Sequence, residues 1–365
     1  MPSTRRHRKR TTRRIPKKNP GSVWPQGSIV YICGKNPVAF GPDDDDLGGS
    51  EQAVVQLSRC WVQMGYPVVV YGNVKEMKKE GVEYRSIHSL NLSDTFDIAI
   101  LWRSYGLRLL PFIHAKKRII DLHDSWDPKN YISPKQLISL ADAIMVKSKY
   151  HKSLYPYIPS SMVHCIMNGV QIDILQSVIQ RIDESKRDAY RLIYASSYER
   201  GLEPLLKYSW PKIKAAIPEA TFDIYYGLNR LADTPLGKKL KKLFDQPGVK
   251  EHGRISLEQI AKEKATSAIH LYVSNSSTEI DCISVRESLL TGAVPVIGND
   301  YVFRERDGVH VPGSTSNPDT YRKAGSTVIK LLKDQEKLSE LRIKLRKSDT
   351  IISWEEVAKK WLRVF

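Results

Sequence analysis

Cysteine is scarce and scattered. Cys33, Cys60, Cys165 and Cys282 are the only four in 365 residues, they form no CxxC pair, and no hydrophobic signal segment precedes them, so free thiols in a reducing compartment are expected. Long apolar runs are missing too: no stretch approaches the roughly 20 residues of a membrane-spanning helix. The expected protein is therefore cytoplasmic, soluble or peripheral. There is no long low-complexity interior and no short-period repeat. Hydrophobic residues make up 41%, enough for full cores, and the length suits two domains of about 150 residues each.

Acid is absent from the first 20 residues, which carry nine Lys or Arg from Arg5 to Lys18. The formal charge of +17 thus separates into the tail and 17 − 9 = +8 for the rest. Residues 1–22 have too few apolar side chains to repay the ordering of their backbone. Nuclear import, a nucleic-acid contact, an anchor on an anionic surface and a plain solvated extension all remain open readings of this tail.

What is present is alternation. Short β-branched or aromatic runs at 29–33, 68–71, 98–102, 118–122, 143–147 and 162–166 are separated by helical patterns, as in βα units of a mainly parallel sheet. A polar stretch from about Gln171 to Arg187 reads as a linker. A second series follows at 191–194, 222–226, 249–252, 268–273 and 293–297. The fold class expected is α/β, with two Rossmann-like domains (23–175 and 183–350) facing a cleft. Residues 351–365 read as a final helix packing back on a domain: Ser353 and Glu356 spell a capping box, and Trp354, Val357, Ala358, Trp361 and Phe365 make an apolar stripe.

The segment Ser277 to Ile297 holds two acids eight positions apart, Glu279 in a loop and Glu287 in the first turn of a helix. The amides of Cys282, Ile283 and Ser284 fall at that helix N-terminus, where diphosphate oxygens are favoured. A carboxylate also suits vicinal hydroxyls, which donate to its two oxygens. Ser284 and Glu287 equally spell a capping box. Four further clusters stand in order: Gly48-Gly49-Ser50-Glu51 before a helix, with Ser50 placed to cap it; His123-Asp124 at a strand's carboxyl end; Ser196-Ser197 with Arg200; and His252-Gly253-Arg254, followed by a Ser256/Gln259 capping box. Asp43 to Asp46 contain an Asp-x-Asp pattern, read as a solvated loop over the cleft and not as a metal site.

Taken in that order, these segments resemble the retaining glycosyltransferases of the GT-B fold, glycosyltransferase family 4 above all, with their Glu-x7-Glu motif. Here Asp281-Cys282-Ile283 replaces the commoner Phe-Gly-Leu turn. The resemblance implies that Glu279 contacts the donor sugar, Glu287 the ribose, His123 the sugar or acceptor, and Arg200 the leaving diphosphate. A second cation expected near Ala195 or Ser196 is missing. Gly49 would let backbone approach the diphosphate, Arg254 would stand near the base, and Asn168-Gly169-Val170 with Asp173 would close the first domain. The expected activity is retaining transfer from a nucleoside-diphosphate sugar to a glycan, protein or lipid hydroxyl, with no metal or other cofactor. A nucleotide-sugar epimerase of the same fold, and a basic nucleic-acid-binding protein with an inactive enzyme fold, are the alternatives.

Overall fold

A computed structural model describes residues 20–365 apart from 46 and 126. The basic tail up to residue 19 lies outside the described residues. The first sheet takes β1 (Ile29–Gly34), β2 (Val68–Gly72), β3 (Met77–Lys79), β4 (Val82–Ser86), β5 (Thr95–Trp102), β6 (His114–Asp121), β7 (Ala143–Val146) and β8 (Val163–Cys165). Their order is β3-β4-β2-β1-β5-β6-β7-β8, parallel except for the β3–β4 pair. Six further strands form the second sheet: β9 (Asp188–Ala195), β10 (Thr221–Tyr225), β11 (Val249–Glu251), β12 (Ser267–Tyr272), β13 (Val294–Ile297) and β14 (Val309–His310), in the order β11-β10-β9-β12-β13-β14.

Strands covered on both faces read as unbroken apolar runs, and β1, buried at every position, is one. The order reverses at β1 in one sheet and at β9 in the other, and such crevices at the carboxyl ends are where open α/β sheets bind ligands. β3, β4 and β14 escape the pattern because Met-Lys-Lys, a strand alternating with Glu83 and Arg85, and a two-residue strand carry no apolar run. The stretch read as a linker contains a helix, Ile172–Gln180, whose Leu175 and Val178 pack with Ala261 of the second domain. Ile172 packs on the same cluster, while Ile174 faces outward. Among the described residues no helix is long and apolar enough to cross a membrane.

The final helix, Trp354–Leu362, is capped as expected: the Glu356 amide donates to Ser353 Oγ at 3.1 Å and the Ser353 amide to Glu356 Oε2 at 2.8 Å. The chain reaches it by crossing back to the first domain, where the Val170 amide donates to the Ile352 carbonyl at 2.8 Å. Gly169 is required here, since a Cβ would lie 2.6 Å from the Trp354 backbone. The helix then docks on the helix Gly49–Gln63, with ring centroids of Trp61 and Trp361 5.5 Å apart and of Trp61 and Phe365 5.3 Å apart. Trp361→Ala should therefore cost about 3–5 kcal/mol of the first domain's stability in urea titration. Replacing exposed Ile343, 59% accessible, should change it by less than about 0.5 kcal/mol.

Candidate functional site

The carboxyl ends of the two sheets face each other across a cleft of roughly 1460 Å³, lined from both sides by residues that include Gly49, Arg103, His123, Arg200, Glu279 and Glu287. Pockets that take one small ligand measure about 300–1,000 Å³. The space suits two reactants side by side.

The second-domain wall is built on the turn between β12 and the helix Ile283–Thr291. Glu279 is buried there. Its Oε1 accepts from the Cys282 amide at 3.0 Å, and its Oε2 accepts from the Tyr272 hydroxyl at 3.2 Å and pairs with the Arg200 guanidinium. That pairing holds Arg200 in its charged form, its pKa raised above the ordinary arginine value. Cys282 is the N-cap residue in the left-handed region, φ 61°, and burial pushes its thiol well up.

The capping box expected of Ser284 and Glu287 does not form. The helix opens at Ile283, so Ser284 lies inside it, and its hydroxyl donates to the Ala195 carbonyl of β9 at 2.7 Å. Glu287 lies beyond the first turn, and its Oε2 is 2.6 Å from Lys264 Nζ, which also donates to the Ser284 carbonyl and hydroxyl at 3.0 Å each. Lys264 is almost fully buried. Ser196 Oγ bonds the Tyr272 hydroxyl at 2.9 Å, and the Ser197 carbonyl accepts from Tyr194 at 2.7 Å. Arg254 reaches the cleft from the turn after β11, its guanidinium 4.8 Å from the Tyr226 ring centre. The Ser256/Gln259 box does form.

On the first-domain wall, the helix begins at Gly49 with Gly48 as N-cap, so Ser50 does not cap it and donates instead to Glu51 at 2.8 Å. A Cβ on Gly49 would stand 3.2 Å from Ile283 Cδ1, which puts the two walls in contact at that point. His123 follows β6, with its Nε2 2.8 Å from Asp121 Oδ2. Burial lowers the His123 pKa against the opposing pull of Asp121. Burial would raise the Asp121 carboxyl, but His123 and Lys147 outweigh it and hold the pKa below the usual carboxylate range.

Sequence patterns gave no sign of Arg103. It sits just past β5 at φ 52°, holds Asp124 through two bonds of 2.6 Å, and reaches Ser50 Oγ at 3.4 Å. Its partners lie 21 and 53 positions away in sequence, beyond any local spacing. In the acidic loop, Asp43 pairs with Lys79 at 2.7 Å and Asp44 with Lys75; Asp46 lies outside the described residues. Among those residues, no group of three His, Cys, Asp or Glu side chains is placed to hold a metal ion.

No protein-family model matches this sequence, and no curated protein is similar to it in sequence. Its architecture is found in solved structures. HepE of Anabaena, crystallised with UDP and glucose, is 12% identical over 92% of this chain and 98% of its own, with a TM-score of 0.65. A glycosyltransferase from Rickettsia africae is 14% identical over 93% and 98%, with a TM-score of 0.71. Sucrose-phosphate synthase from Thermosynechococcus elongatus is 11% identical over 93% and 98%, with a TM-score of 0.66. The chain has the GT-B fold. In this fold of glycosyltransferases, the cleft between the two sheets is the place where Glu279, Arg200 and His123 converge here.

Three histidines around the GT-B core are held neutral. Burial lowers the pKa of His123 and His270, and that of His151 to about 3. In the unfolded chain each would titrate near the ordinary value of about 6.5. As pH falls below that value the unfolded state takes up protons that the folded state refuses, so stability is full above pH 6.5 and declines toward pH 3. Urea midpoints should fall steadily from pH 7 to 4, with proton uptake on unfolding at pH 5. A flat profile over that range would contradict this account.

Proposed function

We propose that the protein is a glycosyltransferase that moves a sugar from a nucleoside-diphosphate donor to a hydroxyl of a glycan, protein or lipid acceptor, with retention of configuration. The observation that carries this reading is the convergence, on one wall of an interdomain cleft, of Arg200, the buried carboxylate of Glu279 and the N-terminal amides of the helix Ile283–Thr291. A guanidinium and a helix N-terminus favour a diphosphate, most of all as its charge grows on departure. That HepE of Anabaena, of the same fold, was crystallised with UDP-glucose supports a donor of this class.

In this scheme the anomeric carbon loses its bond to the diphosphate oxygen and gains one to the acceptor oxygen on the same face. The acceptor proton passes to the departing phosphate. Arg200 and the amides of Ile283 and Ser284 stabilise the leaving group, while the Cys282 amide is held by Glu279. Glu279, fixed by Arg200, Tyr272 and Cys282, keeps one lone pair, on Oε1, for a sugar hydroxyl. Glu287, held by Lys264, takes the ribose, and the missing second cation leaves Ser197 to donate to the diphosphate, because Ser196 spends its proton on the Tyr272 hydroxyl. Arg254 stands by the base, Gly49 gives the diphosphate a close backbone approach, and His123 faces the reacting sugars. The proposal involves no metal and no other cofactor. Closure of the two domains excludes water during transfer.

A panel of UDP-, GDP- and ADP-sugars, read by thermal shift and release of nucleoside diphosphate, tests this. One donor class should raise the melting temperature and turn over. Arg200→Ala should lower turnover roughly 100-fold or more, as loss of a leaving-group stabiliser does. Glu287→Ala should weaken donor binding about 10- to 100-fold, the worth of a hydrogen bond to a charged group. If no donor binds and Glu287→Ala changes nothing, the proposal fails.

A further inference from the structure

Beneath the cleft lies a charged cluster that binding a diphosphate does not require. Asp121 is fully buried, and side chains from three elements converge on its carboxylate: the Tyr31 hydroxyl from β1, Lys147 Nζ from the end of β7 at 2.5 Å, and His123 Nε2 at 2.8 Å. Lys147 is 1% exposed, and its ammonium lies 5.4 Å from the Trp361 ring centre. Replacing a buried ion pair by apolar side chains of similar volume is often neutral or stabilising. Stability alone is therefore a weak reason for this pair.

A count of protons fixes the chemistry. Lys147 and Tyr31 both donate to Asp121, whose carboxylate is ionised and acceptor-only, so the Nε2 that meets it must carry the ring proton. That leaves Nδ1 with its lone pair. Nδ1 makes no hydrogen bond to any described residue, and His123 lines the cleft.

We propose that Asp121 and Lys147 are positioning residues: Asp121 fixes His123 as the Nε2–H tautomer, and the Lys147 charge adds to burial in keeping the ring neutral, so that Nδ1 accepts a hydrogen bond from a sugar hydroxyl. The proposal rests on the glycosyl-transfer reading for its substrate but not for its tautomer. The charged and titratable groups around His123 agree with it. Asp121 and Asp124 flank it in sequence, Lys147 stands at the end of β7, and Arg103 comes from the turn after β5. His151, on the helix Lys149–Ser153, is itself neutral, and Tyr31 and Cys33 of β1 are uncharged thanks to burial. Burial, Lys147 and Arg103 all oppose protonation of His123, and Asp121 draws a proton toward it. The same cluster removes His123 as a proton donor to the leaving diphosphate, which fits a front-face departure in which the phosphate receives the proton.

The test begins with nitrogen-15 NMR of histidine-labelled, full-length wild-type protein. At pH 6, His123 should be the neutral Nε2–H tautomer. A protonated ring, or the Nδ1–H tautomer, overturns the proposal whether or not any donor turns over. Lys147→Met should raise the His123 midpoint, so that transfer acquires an acid limb at higher pH than in wild type, which stays level from pH 8 to 6. Asp121→Asn should put the ring proton on Nδ1 and lower kcat roughly 100-fold or more with donor KM unchanged. If donor hydrolysis without acceptor falls in parallel, the hydroxyl belongs to the donor; if only transfer falls, it belongs to the acceptor. A folded Lys147→Met protein with wild-type pH dependence overturns the proposal. The predicted tautomer in a protein that turns over no donor supports the cluster's role and sinks the transfer reading.

Discussion

The Asp281 carboxylate accepts from Arg286 and Arg306 at 2.8 Å each and from the Asn168 amide at 3.1 Å. Arg286 also donates to the Asn168 carbonyl at 2.6 Å, and Arg306 to the Asp281 carbonyl at 2.6 Å. Asn168 is where the chain leaves the first sheet, and Asp281 lies between Glu279 and Cys282. One buried carboxylate therefore ties the exit of the first domain to the turn that presents Glu279 and opens the helix behind it. Removing one partner from a buried pair strands the others and costs about 3–5 kcal/mol. The position of the Glu279 wall against the His123 wall depends on this junction.

Strain gathers at the same cleft. Arg103, Tyr226, Asn229 and Cys282 have φ of 52°, 131°, 44° and 61°, and all four line it. Asn adopts the left-handed region readily; the other three cost on the order of 1–3 kcal/mol each and persist only where the surroundings over-determine them. At Arg103 the surroundings are visible. A Cβ on Gly106 would lie 2.3 Å from the Ile32 carbonyl, so the turn after β5 is pressed onto β1 and has nowhere to relax. The reward is a guanidinium aimed along the first-domain wall and locked by Asp124.

How far this arrangement was legible in the sequence follows from the range of each interaction. Buried strands such as β1 and the capping boxes at Ser256 and Ser353 are written in neighbouring residues, and they appear as read. The caps assigned to Ser50 and Ser284 fail because Gly48 and Cys282 start those helices earlier, and at Cys282 the start is a left-handed turn held by Glu279 and Asp281, a tertiary cause. Glu287 finds Lys264 23 positions away and Arg200 finds Glu279 79 positions away; the acids stand out by spacing, while their partners are invisible to it. Asp121 lies between these cases. It precedes His123 by two, and side chains two apart on an extended chain share a face, so the pair was legible although Lys147 was not.

The cluster beneath His123 and the junction at Asp281 meet through the C-terminal helix. Trp361 packs on Trp61 and also covers Lys147, so the helix that returns from the second domain helps keep water from the ammonium that opposes protonation of His123. The return path runs beside Val170 and Ser353, next to Gly169, where no side chain fits. A rotation of the two sheets about this crossing would part Gly49 from Ile283, because those residues belong to opposite walls. It would leave Tyr31, Asp121, His123, Lys147 and Trp361 together, because all five sit on the first-domain side of the crossing. The fold thus places the contact between the two walls, Gly49 against Ile283, apart from the contacts that surround His123.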